Sequence, residues 1–423
     1  MVNFKHIFPL LLLTAGVYAQ GDLTLDSCIN QAYRNFQFER QIEYTNKVTE
    51  ANIAGVKKNY LPSLDLNAAA TYQNEQISIP VELPIPGFEA PAAPLNINNA
   101  LLSLRQWIYD GSITHNQKLI QEASGNMNLQ EIEAEKLQLK TNVIQLYFSV
   151  LLQEKQLAIL TEKAAVLDAR LKEVHSAVES HVLLESDENL LKAERVQLRQ
   201  LITEVVYNRR ASLTGLEELM GVKVGEETTF TEPKATLTAS TDLTMRPDVQ
   251  LLDNQMYLLE AQKGMIKSNY LPKIGLFADG GFGLPGYDIF KDEIAPMAKV
   301  GLTMQWHIFD WNKGSVQRQT LDLSQNIIRL KQDRLKRQLG VQTRAETNKI
   351  EKAKQLMQND EELLKLYTSV SSAYASQLEN GTITSAEYVQ QLNKEQEART
   401  NLELHKLQLL IATMNYNTLI EGK

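Results

Sequence analysis

The chain has 423 residues, with 43 Lys and Arg against 51 Asp and Glu and a formal net charge of −8. This acidic balance argues against a nucleic-acid partner. The only cysteine is Cys28, which excludes a disulfide within the chain. Beyond the N-terminal segment there is no run of about 18 apolar residues, so the sequence predicts no membrane-spanning helix.

Residues 1–19 have the pattern of a secretory signal peptide. A weakly basic start at Lys5 and His6 is followed by an apolar stretch and by a small-residue cleavage site ending at Ala19. The sequence therefore predicts an exported protein. An exported chain without a membrane-spanning helix is secreted, periplasmic, or built into an outer membrane as strands.

The first half of the mature chain, residues 20–230, is expected to contain a helix, a strand pair and a long helical hairpin. Apolar residues step by threes and fours in the Pro-free segments and alternate singly in the strands. Thr24 or Asp26 fits the N-cap of the first helix. The expected elements are a helix over 24–58, strands at about 62–74 and 98–109 around a Pro-rich loop at 75–97, and a hairpin over 111–220 with its tip near 181.

The second half, residues 231–423, is expected to repeat this order. Pro247 fits the first turn of its opening helix. The stretch 221–241, rich in Thr and Gly, is expected to be an elaboration at mid-height of the helical part. The expected elements are a helix over 242–268, strands at about 272–283 and 296–309, and a hairpin over 311–420 with its tip near 381.

A duplicated motif indicates two internal structural repeats. Asn-Tyr-Leu-Pro ends at Pro62 and again at Pro272, in both copies between a predicted helix and a predicted strand. Proline disfavours helix in the residue before it, which ends each helix at the junction. The period is far too long for a solenoid, so we interpret it as one duplicated half.

Each predicted strand has about 10 residues, the length that a tilted strand needs to cross a bilayer. Apolar and polar residues alternate, as in a barrel with lipid outside and water inside, but a soluble sandwich gives a similar alternation. Aromatic residues at the loop-distal strand ends favour the barrel, because they fit a girdle at one membrane interface. These residues are Tyr60, Trp107, Tyr109, Tyr270, Trp306, Phe309 and Trp311.

Four strands are too few to close a membrane barrel, since the smallest closed barrels have about eight. The chain is therefore expected to assemble with copies of itself. Each outward helix, about 70 residues long, would span about 105 Å and is matched by two shorter helices laid end to end. Helical columns joined to a shared barrel predict a conduit.

With these elements in this order, the sequence resembles the TolC family of outer-membrane efflux proteins. The motifs that carry the resemblance are both Asn-Tyr-Leu-Pro copies, the junctions at 109–111 and 309–311, Arg246-Pro247-Asp248, and Gly381-Thr382 followed by Glu387. The resemblance implies an α+β membrane protein with a long α-helical coiled-coil tunnel, an α-barrel, below a transmembrane β-barrel. That barrel would be shared by three subunits, with four strands from each chain and two structural repeats. It also implies a homotrimer in contact with outer-membrane lipid and spanning into the periplasm.

The resemblance further implies a passive exit duct for small molecules or exported protein. Its partners would be a periplasmic adaptor (membrane fusion) protein and an inner-membrane RND pump or ABC exporter. Asp187 and Glu387 match the acidic residues that line the periplasmic aperture in the family. The helical-tip turns implied in adaptor docking are His181, Val182, Leu183, Gly381, Thr382 and Ile383.

Some tip residues depart from the family pattern. His181 stands where Gly is usual, and Leu378 and Ile383 replace a Tyr/Arg pair that some members use as a latch. Asp187 and Glu387 also fit a plainer interpretation, in which they are acidic residues at helix N-termini, favourable with the helix dipole. Both interpretations can hold together.

The sequence contains no pattern typical of catalysis or cofactor binding. The six histidines lack ligand spacing, and there is neither a Gly-rich phosphate loop nor a nucleophile elbow. We therefore predict no enzyme, no cofactor and no metal site. The alternative functions are a periplasmic coiled-coil adaptor or scaffold protein of an export system, and an exported enzyme with a helical stalk. An adaptor has no need of four bilayer-length strands with aromatic ends.

Overall fold

The computed structural model describes residues 22–80, 92–225, 228–238 and 242–422. The expected signal peptide lies outside the described residues, as do residues 81–91 of the Pro-rich loop and parts of the expected mid-height stretch.

Helices account for most of the described residues. The two longest, α3 and α6, have 67 residues each, which corresponds to about 100 Å at the α-helical rise. No helix in the described part of the chain is both long enough and apolar enough to cross a bilayer. The helices are α1 (Leu25–Asn35), α2 (Phe38–Lys57), α3 (Ile113–Glu179), α4 (Glu185–Met220), α5 (Pro247–Ser268), α6 (Lys313–Glu379) and α7 (Ser385–Glu421). The strands are β1 (Ser63–Tyr72), β2 (Asn96–Tyr109), β3 (Lys273–Leu284) and β4 (Ala295–Gln305).

The first helix, predicted as one element over 24–58, is two helices in the structure. Thr24 caps α1, because its Oγ1 accepts the backbone N–H three residues on at 3.2 Å. The helix stops where Gln37 adopts a φ of 55°, a left-handed conformation that a right-handed helix cannot continue through. Beside this break, the Asn35 side chain donates to the carbonyl oxygen of Leu219 in the last turn of α4, at 3.0 Å. This hydrogen bond fastens the end of α1 to the end of α4.

The helix predicted over 242–268 begins only at Pro247. Proline disfavours helix in the residue before it and suits the first helical position, where its missing N–H costs nothing. Arg246 therefore stays outside α5, and its guanidinium donates to the carbonyl oxygen of Leu419 near the end of α7, at 2.6 Å. Asp248 holds the same guanidinium at 2.9 Å.

The four strands form one antiparallel sheet in chain order. β4 was predicted to reach residue 309 but ends at Gln305. Gln305 pairs with Lys273, the first residue of β3, so β3 offers no partner beyond that point. The chain then leaves the ladder, and Trp306 Nε1 donates to the carbonyl oxygen of Tyr270 at 3.0 Å. β1, β2 and β3 begin and end within two residues of the ranges expected from the sequence.

The chain divides into two compact units. One comprises the residues up to Ile42, Glu131–Gln250 and the residues from Asp333 onward. The other comprises Glu43–Gln130 and Leu251–Gln332, and it contains the sheet.

The largest core of the first unit surrounds Tyr147, which is fully buried. Its hydroxyl oxygen lies 2.7 Å from the carbonyl oxygen of Leu23 and 2.6 Å from that of Thr231. Burial raises the pKa of the Tyr147 phenol well above its usual range, because it disfavours the charged form. Leu23 and Phe230 form an isolated parallel bridge nearby, so this part of the 221–241 stretch packs on the core.

In the same unit, apolar seams close two helical hairpins. The seam between α3 and α4 is built from Leu167, Val174, Leu191 and Leu198, all buried. Near the second turn, α6 and α7 meet through Leu378, Tyr388 and Leu392. Further along this second hairpin, a buried Asp360 on α6 is hydrogen-bonded to His405 on α7. Both hairpins also contain polar contacts between their helices, since Lys163 on α3 pairs with Glu194 on α4 at 2.8 Å.

Candidate functional surfaces on the sheet and at the helical tips

One face of the sheet is apolar and exposed. Its side chains stand on alternate residues, and the exposed fraction reaches 74% at Leu66 and 79% at Val300. Apolar side chains that stay uncovered over four neighbouring strands mark a surface that contacts another apolar phase. The members of this apolar face are Leu64, Leu66, Leu102, Leu104, Ile274, Leu276, Val300, Leu302 and Met304.

The opposite face carries polar and charged side chains in register. Asp65, Ser103, Asp279 and Lys299 face one another across all four strands. Lys299 Nζ lies 3.3 Å from Asp279 Oδ2, and Asn67 Nδ2 donates to Ser103 Oγ at 3.2 Å. The sheet is thus apolar on one side and polar on the other.

Both outer strands of the sheet have an open edge. Within the described residues, β1 pairs only with β2 and β4 only with β3. An open edge presents unpaired backbone N–H and C=O groups that can pair with a strand of another chain.

The helix-to-strand junctions at Pro62 and Pro272 are held by side chains from the neighbouring strand ends. Gln106 Nε2 donates to the carbonyl oxygen of Tyr60 at 2.7 Å, and Trp306 makes the corresponding bond to Tyr270. At each junction, the carbonyl group two residues before the proline accepts a hydrogen bond from a side chain near the end of another strand.

The strand-to-helix junctions are held by aspartates. Asp110 Oδ2 accepts the backbone N–H of Thr114 at 2.7 Å, at the start of α3. Asp310 Oδ1 accepts the N–H of Lys313 at 3.1 Å, at the start of α6. Both carboxylates satisfy N–H groups that have no partner within the helix.

The aromatic residues predicted for a membrane interface lie at one end of the sheet, where β1 and β3 begin and β2 and β4 end. Trp311 and Phe309 are the most exposed of them, at 86% and 66%, and their ring centroids are 5.0 Å apart. Tyr270 is less exposed, and its hydroxyl donates to the Asp310 carboxylate. The others at this end are Tyr60, Tyr109, Trp306 and Trp107. Trp107 stands on the polar face of the sheet, opposite Gly275, whereas a lipid-facing girdle would need the apolar face.

The first helical tip joins α3 to α4 through a left-handed residue. His181 has a φ of 61°, and the N–H of Val182 bonds back to the carbonyl oxygen of Ala177 at 2.8 Å. This is the bonding of a Schellman motif, which usually has glycine at the left-handed position. The Asp187 carboxylate then accepts the backbone N–H of Leu184 at 3.3 Å.

The second tip has the same bonding with glycine in place. Gly381 has a φ of 66°, and the N–H of Thr382 bonds to the carbonyl oxygen of Gln377 at 2.9 Å. Glu387 Oε2 accepts the N–H of Thr384 at 2.8 Å, while its own N–H donates to Thr384 Oγ1 at 3.3 Å. This capping box holds the pKa of the Glu387 carboxyl below its usual range, chiefly through the backbone hydrogen bond.

The structure therefore places the two expected aperture residues, Asp187 and Glu387, in helix caps. Each carboxylate bonds within its own tip, and no described hydrogen bond or ion pair joins the two. The capping interpretation of these residues describes what they do in one chain. Their role at an aperture concerns the assembled protein and stays a prediction.

The tip turns differ in what they present to solvent. Val182 and Leu184 are 73% and 71% exposed. Leu183 and Ile383 instead pack against the seams of their hairpins. Of the residues expected to dock an adaptor, Val182 is therefore an exposed apolar group and Leu183 is a structural one.

A charged cluster lies just behind the first tip. The Glu188 carboxylate accepts hydrogen bonds from Lys192 Nζ at 2.8 Å and from His175 Nδ1 at 2.9 Å. The bond from Lys192 is the main cause that lowers the pKa of Glu188.

In the described part of the chain, no group of three or more His, Cys, Asp or Glu side chains is arranged to hold a metal ion.

Contacts between the two hairpins were not anticipated from the sequence. The Arg170 guanidinium on α3 lies 4.7 Å from the ring centroid of Tyr388 on α7. Further along, Arg399 pairs with Glu162 at 3.1 Å. The only sequence signal was the position of Arg170 directly beside the apolar stripe of α3, where an unpaired charge would be costly.

Solved structures of outer-membrane channels are similar to this chain along most of its length. The Campylobacter jejuni CmeC outer membrane channel is 14% identical with a TM-score of 0.70, over 94% of this chain and 85% of that chain. CusC, described in terms of transmembrane channel formation, is 13% identical with a TM-score of 0.76, over 96% and 93%. The open-state Neisseria gonorrhoeae MtrE outer membrane channel is 14% identical with a TM-score of 0.70, over 94% and 89%. No protein-family model and no curated protein matches the sequence.

Proposed function

We propose, on the premise that this chain has the TolC-like fold of outer-membrane channels, that it is the exit duct of a tripartite efflux or type I secretion system. In this role it sits in the outer membrane as a homotrimer and spans into the periplasm. It conducts small molecules or exported protein passively, and it catalyses no reaction.

The apolar face of the sheet is the observation that carries this proposal. Burial of apolar surface contributes about 25 cal/mol per Å², so a face of exposed Leu, Ile, Val and Met side chains is stable only against lipid or protein. The two open edges at β1 and β4 support closure with copies of the same chain, because the N–H and C=O groups of one edge find partners on the next. Three copies with four strands each exceed the minimum of about eight for a closed membrane barrel.

The tips support the periplasmic side of the proposal. Asp187 and Glu387 follow the turns of the two hairpins, so three copies around an axis bring six carboxylates to the entrance. Exposed Val182 and Leu184 offer an apolar contact to a periplasmic adaptor protein. The energy for transport comes from that adaptor's inner-membrane RND pump or ABC exporter.

A matched pair of substitutions on β1 tests the membrane assignment. Leu66→Asp places a charge on the apolar face, and Asn67→Asp places the same charge on the polar face one residue away. Both full-length variants and the wild type are expressed in a Gram-negative host and followed by outer-membrane fractionation and by light scattering in mild detergent. We expect wild type and Asn67→Asp to be outer-membrane trimers and Leu66→Asp to be strongly depleted from the membrane.

Two results would overturn this function. A folded wild-type monomer in the soluble periplasmic fraction would favour the alternative of a coiled-coil adaptor or scaffold. Equal membrane integration of Leu66→Asp and Asn67→Asp would show that the apolar face does not contact lipid.

A further inference from the structure

The polar face of the sheet contains a recess of about 530 Å³. Its lining includes the polar-face residues Arg105, Trp107, Phe277, Asp279, Lys299, Thr303 and Gln305, and is completed by Gln106, Gly275, Leu276 and Met304. It combines two aromatic rings with three charged groups on a surface where the alternation calls for polar side chains.

Glycines make room for both aromatic rings. A Cβ on Gly301 would lie 2.7 Å from Phe277 Cζ, and one on Gly275 would lie 3.0 Å from Trp107 Cε3. Each glycine faces its aromatic residue directly across a strand pair. The rings therefore lie against the backbone of the neighbouring strand, and both residues also line the recess. Covering a strand glycine accounts for one side of each ring only.

The charges in the recess leave an excess of positive groups facing solvent. The Asp279 side chain is only 12% exposed and is paired with Lys299 at 3.3 Å. Lys299 itself is 54% exposed, and its Nζ lies 5.9 Å from the Phe277 ring centroid. Arg105 is exposed and makes none of the close ion pairs among the described residues, although its charge also acts on Asp279. Asp65 shares the row of Asp279 but stands on β1 and does not line the recess.

We propose that this recess is a binding subsite for planar aromatic anions on the water-facing side of the duct. The proposal rests on the proposed function, because it needs the polar face to line a conducting lumen. Lys299 and Arg105 attract the anionic group, while Phe277 and Trp107 contact the ring. Assembly leaves these groups accessible, since a neighbouring chain would pair with the edge of β4 and side chains on the face stand perpendicular to that edge.

The groups in the recess favour aromatic anions over simple anions and over aromatic cations. A simple anion gains only the screened attraction of two exposed cations, which is weak at physiological ionic strength. An aromatic cation meets like charge at Lys299 and Arg105. An aromatic anion alone gains from both the rings and the cations.

The test is block of single-channel current in planar bilayers by 1-pyrenesulfonate added from the side of the strand-connecting loops. Wild type is compared with Lys299→Gln, Arg105→Gln and Phe277→Leu. The matched control is Lys291→Gln, which removes a lysine of the β3–β4 connection that is 63% exposed, against 54% for Lys299. Methanesulfonate and a pyrenyl ammonium salt serve as probes that lack the ring or reverse the charge.

We expect the half-blocking concentration of 1-pyrenesulfonate to rise about tenfold in Lys299→Gln, a change typical of a lost charge-assisted contact. The half-blocking concentration in Lys299→Arg and in Lys291→Gln should match that of wild type. Equal block of wild type, Lys299→Gln and Arg105→Gln in channels that conduct would overturn the subsite. So would equal block by the pyrenyl ammonium salt. Wild-type protein that opens no channels would instead refute the proposed function.

Discussion

Arg246 donates a hydrogen bond of 2.6 Å from its guanidinium to the carbonyl oxygen of Leu419. This bond connects the residue before α5 to the last turn of α7, whose carbonyl groups have no partner within the helix. Asp248 fixes the other side of the guanidinium. One buried cation therefore joins the end of one helix to the start of another.

Arg246→Met is expected to lower the free energy of unfolding by about 2 to 4 kcal/mol. It removes a charged hydrogen bond and leaves Asp248 and the α7 carbonyls without their partner. Urea titration of the full chain in mild detergent measures the change. Arg329→Met removes an exposed arginine of α6 and should stay within about 0.5 kcal/mol of wild type. Similar values for the two variants would mean that the junction contributes nothing.

Substituting the left-handed residue should have opposite effects on the stability of the two tips. His181→Gly should stabilise the first tip by about 1 kcal/mol, and Gly381→Ala should destabilise the second by a similar amount, because only glycine adopts this backbone without strain. A Cβ on Gly381 would meet no heavy atom within 4 Å, so strain is the whole cost. Hydrogen exchange at the Val182 and Thr382 amides reports on each tip.

Gly340→Ala is the control for these exchanges. Gly340 lies inside α6, and a Cβ added there would meet no heavy atom within 4 Å, so alanine should stabilise by about 0.5 to 1 kcal/mol through helix propensity. A destabilising Gly340→Ala, or a harmless Gly381→Ala, would contradict the assignment of strain to the tip.

The capping box at the second tip predicts a pH dependence. The folded-state pKa of Glu387 is lowered by its bonds to Thr384, so its stabilising contribution is present above the unfolded pKa and is lost as pH falls through the folded pKa. Exchange at the Thr384 amide, corrected for its intrinsic pH dependence, should accelerate in that acidic range. Glu387→Gln should remove the acceleration, whereas Glu361→Gln, at an exposed site on α6, should keep it.

The acidic tips predict a cation-selective entrance. If Asp187 and Glu387 occur three times around an axis, six carboxylates attract multivalent cations. Hexaamminecobalt(III) added from the tip side of a planar bilayer should block the current. The double variant Asp187→Ala, Glu387→Ala should weaken both the block and the cation selectivity, and Glu204→Ala, Glu361→Ala should not. Unchanged block in the tip variant would make these residues helix caps only.

The single cysteine predicts a silent thiol in the folded protein. Cys28 is fully buried, and burial raises the pKa of its thiol to about 12, so very little reactive thiolate is present at neutral pH. A membrane-impermeant maleimide should not label intact wild-type cells. Asp288→Cys, in the β3–β4 connection, should be labelled on intact cells if that connection is extracellular. Labelling of Asp288→Cys only after outer-membrane rupture would reverse the topology, and rapid labelling of native Cys28 would contradict its burial.

The strands and their two faces could be predicted because alternation is local. Leu66 and Asn67 differ in type where the structure places them on opposite faces, and no distant residue is needed to see it. The break at Gln37 was missed, because the contact beside it joins Asn35 to Leu219, which lies far away in sequence. The start of α5 was misplaced although Pro247 is a local signal for it. The contact between Arg170 and Tyr388 was also missed, because these two residues lie far apart in sequence. The caps at Asp187 and Glu387 were foreseen as an alternative, since a carboxylate in the first helical turn has a local reason to be there.

The unpaired edges of β1 and β4 have a consequence for how the protein is made. A newly exported monomer would expose two strand edges and an apolar sheet face to water, a combination that favours aggregation. Its folding should therefore depend on concentration, because subunit association provides the partners that these two edges do not find among the described residues. Under the proposed function, membrane insertion and subunit recognition then become one coupled step. Chains that fail to meet copies in time would be substrates for periplasmic chaperones and proteases.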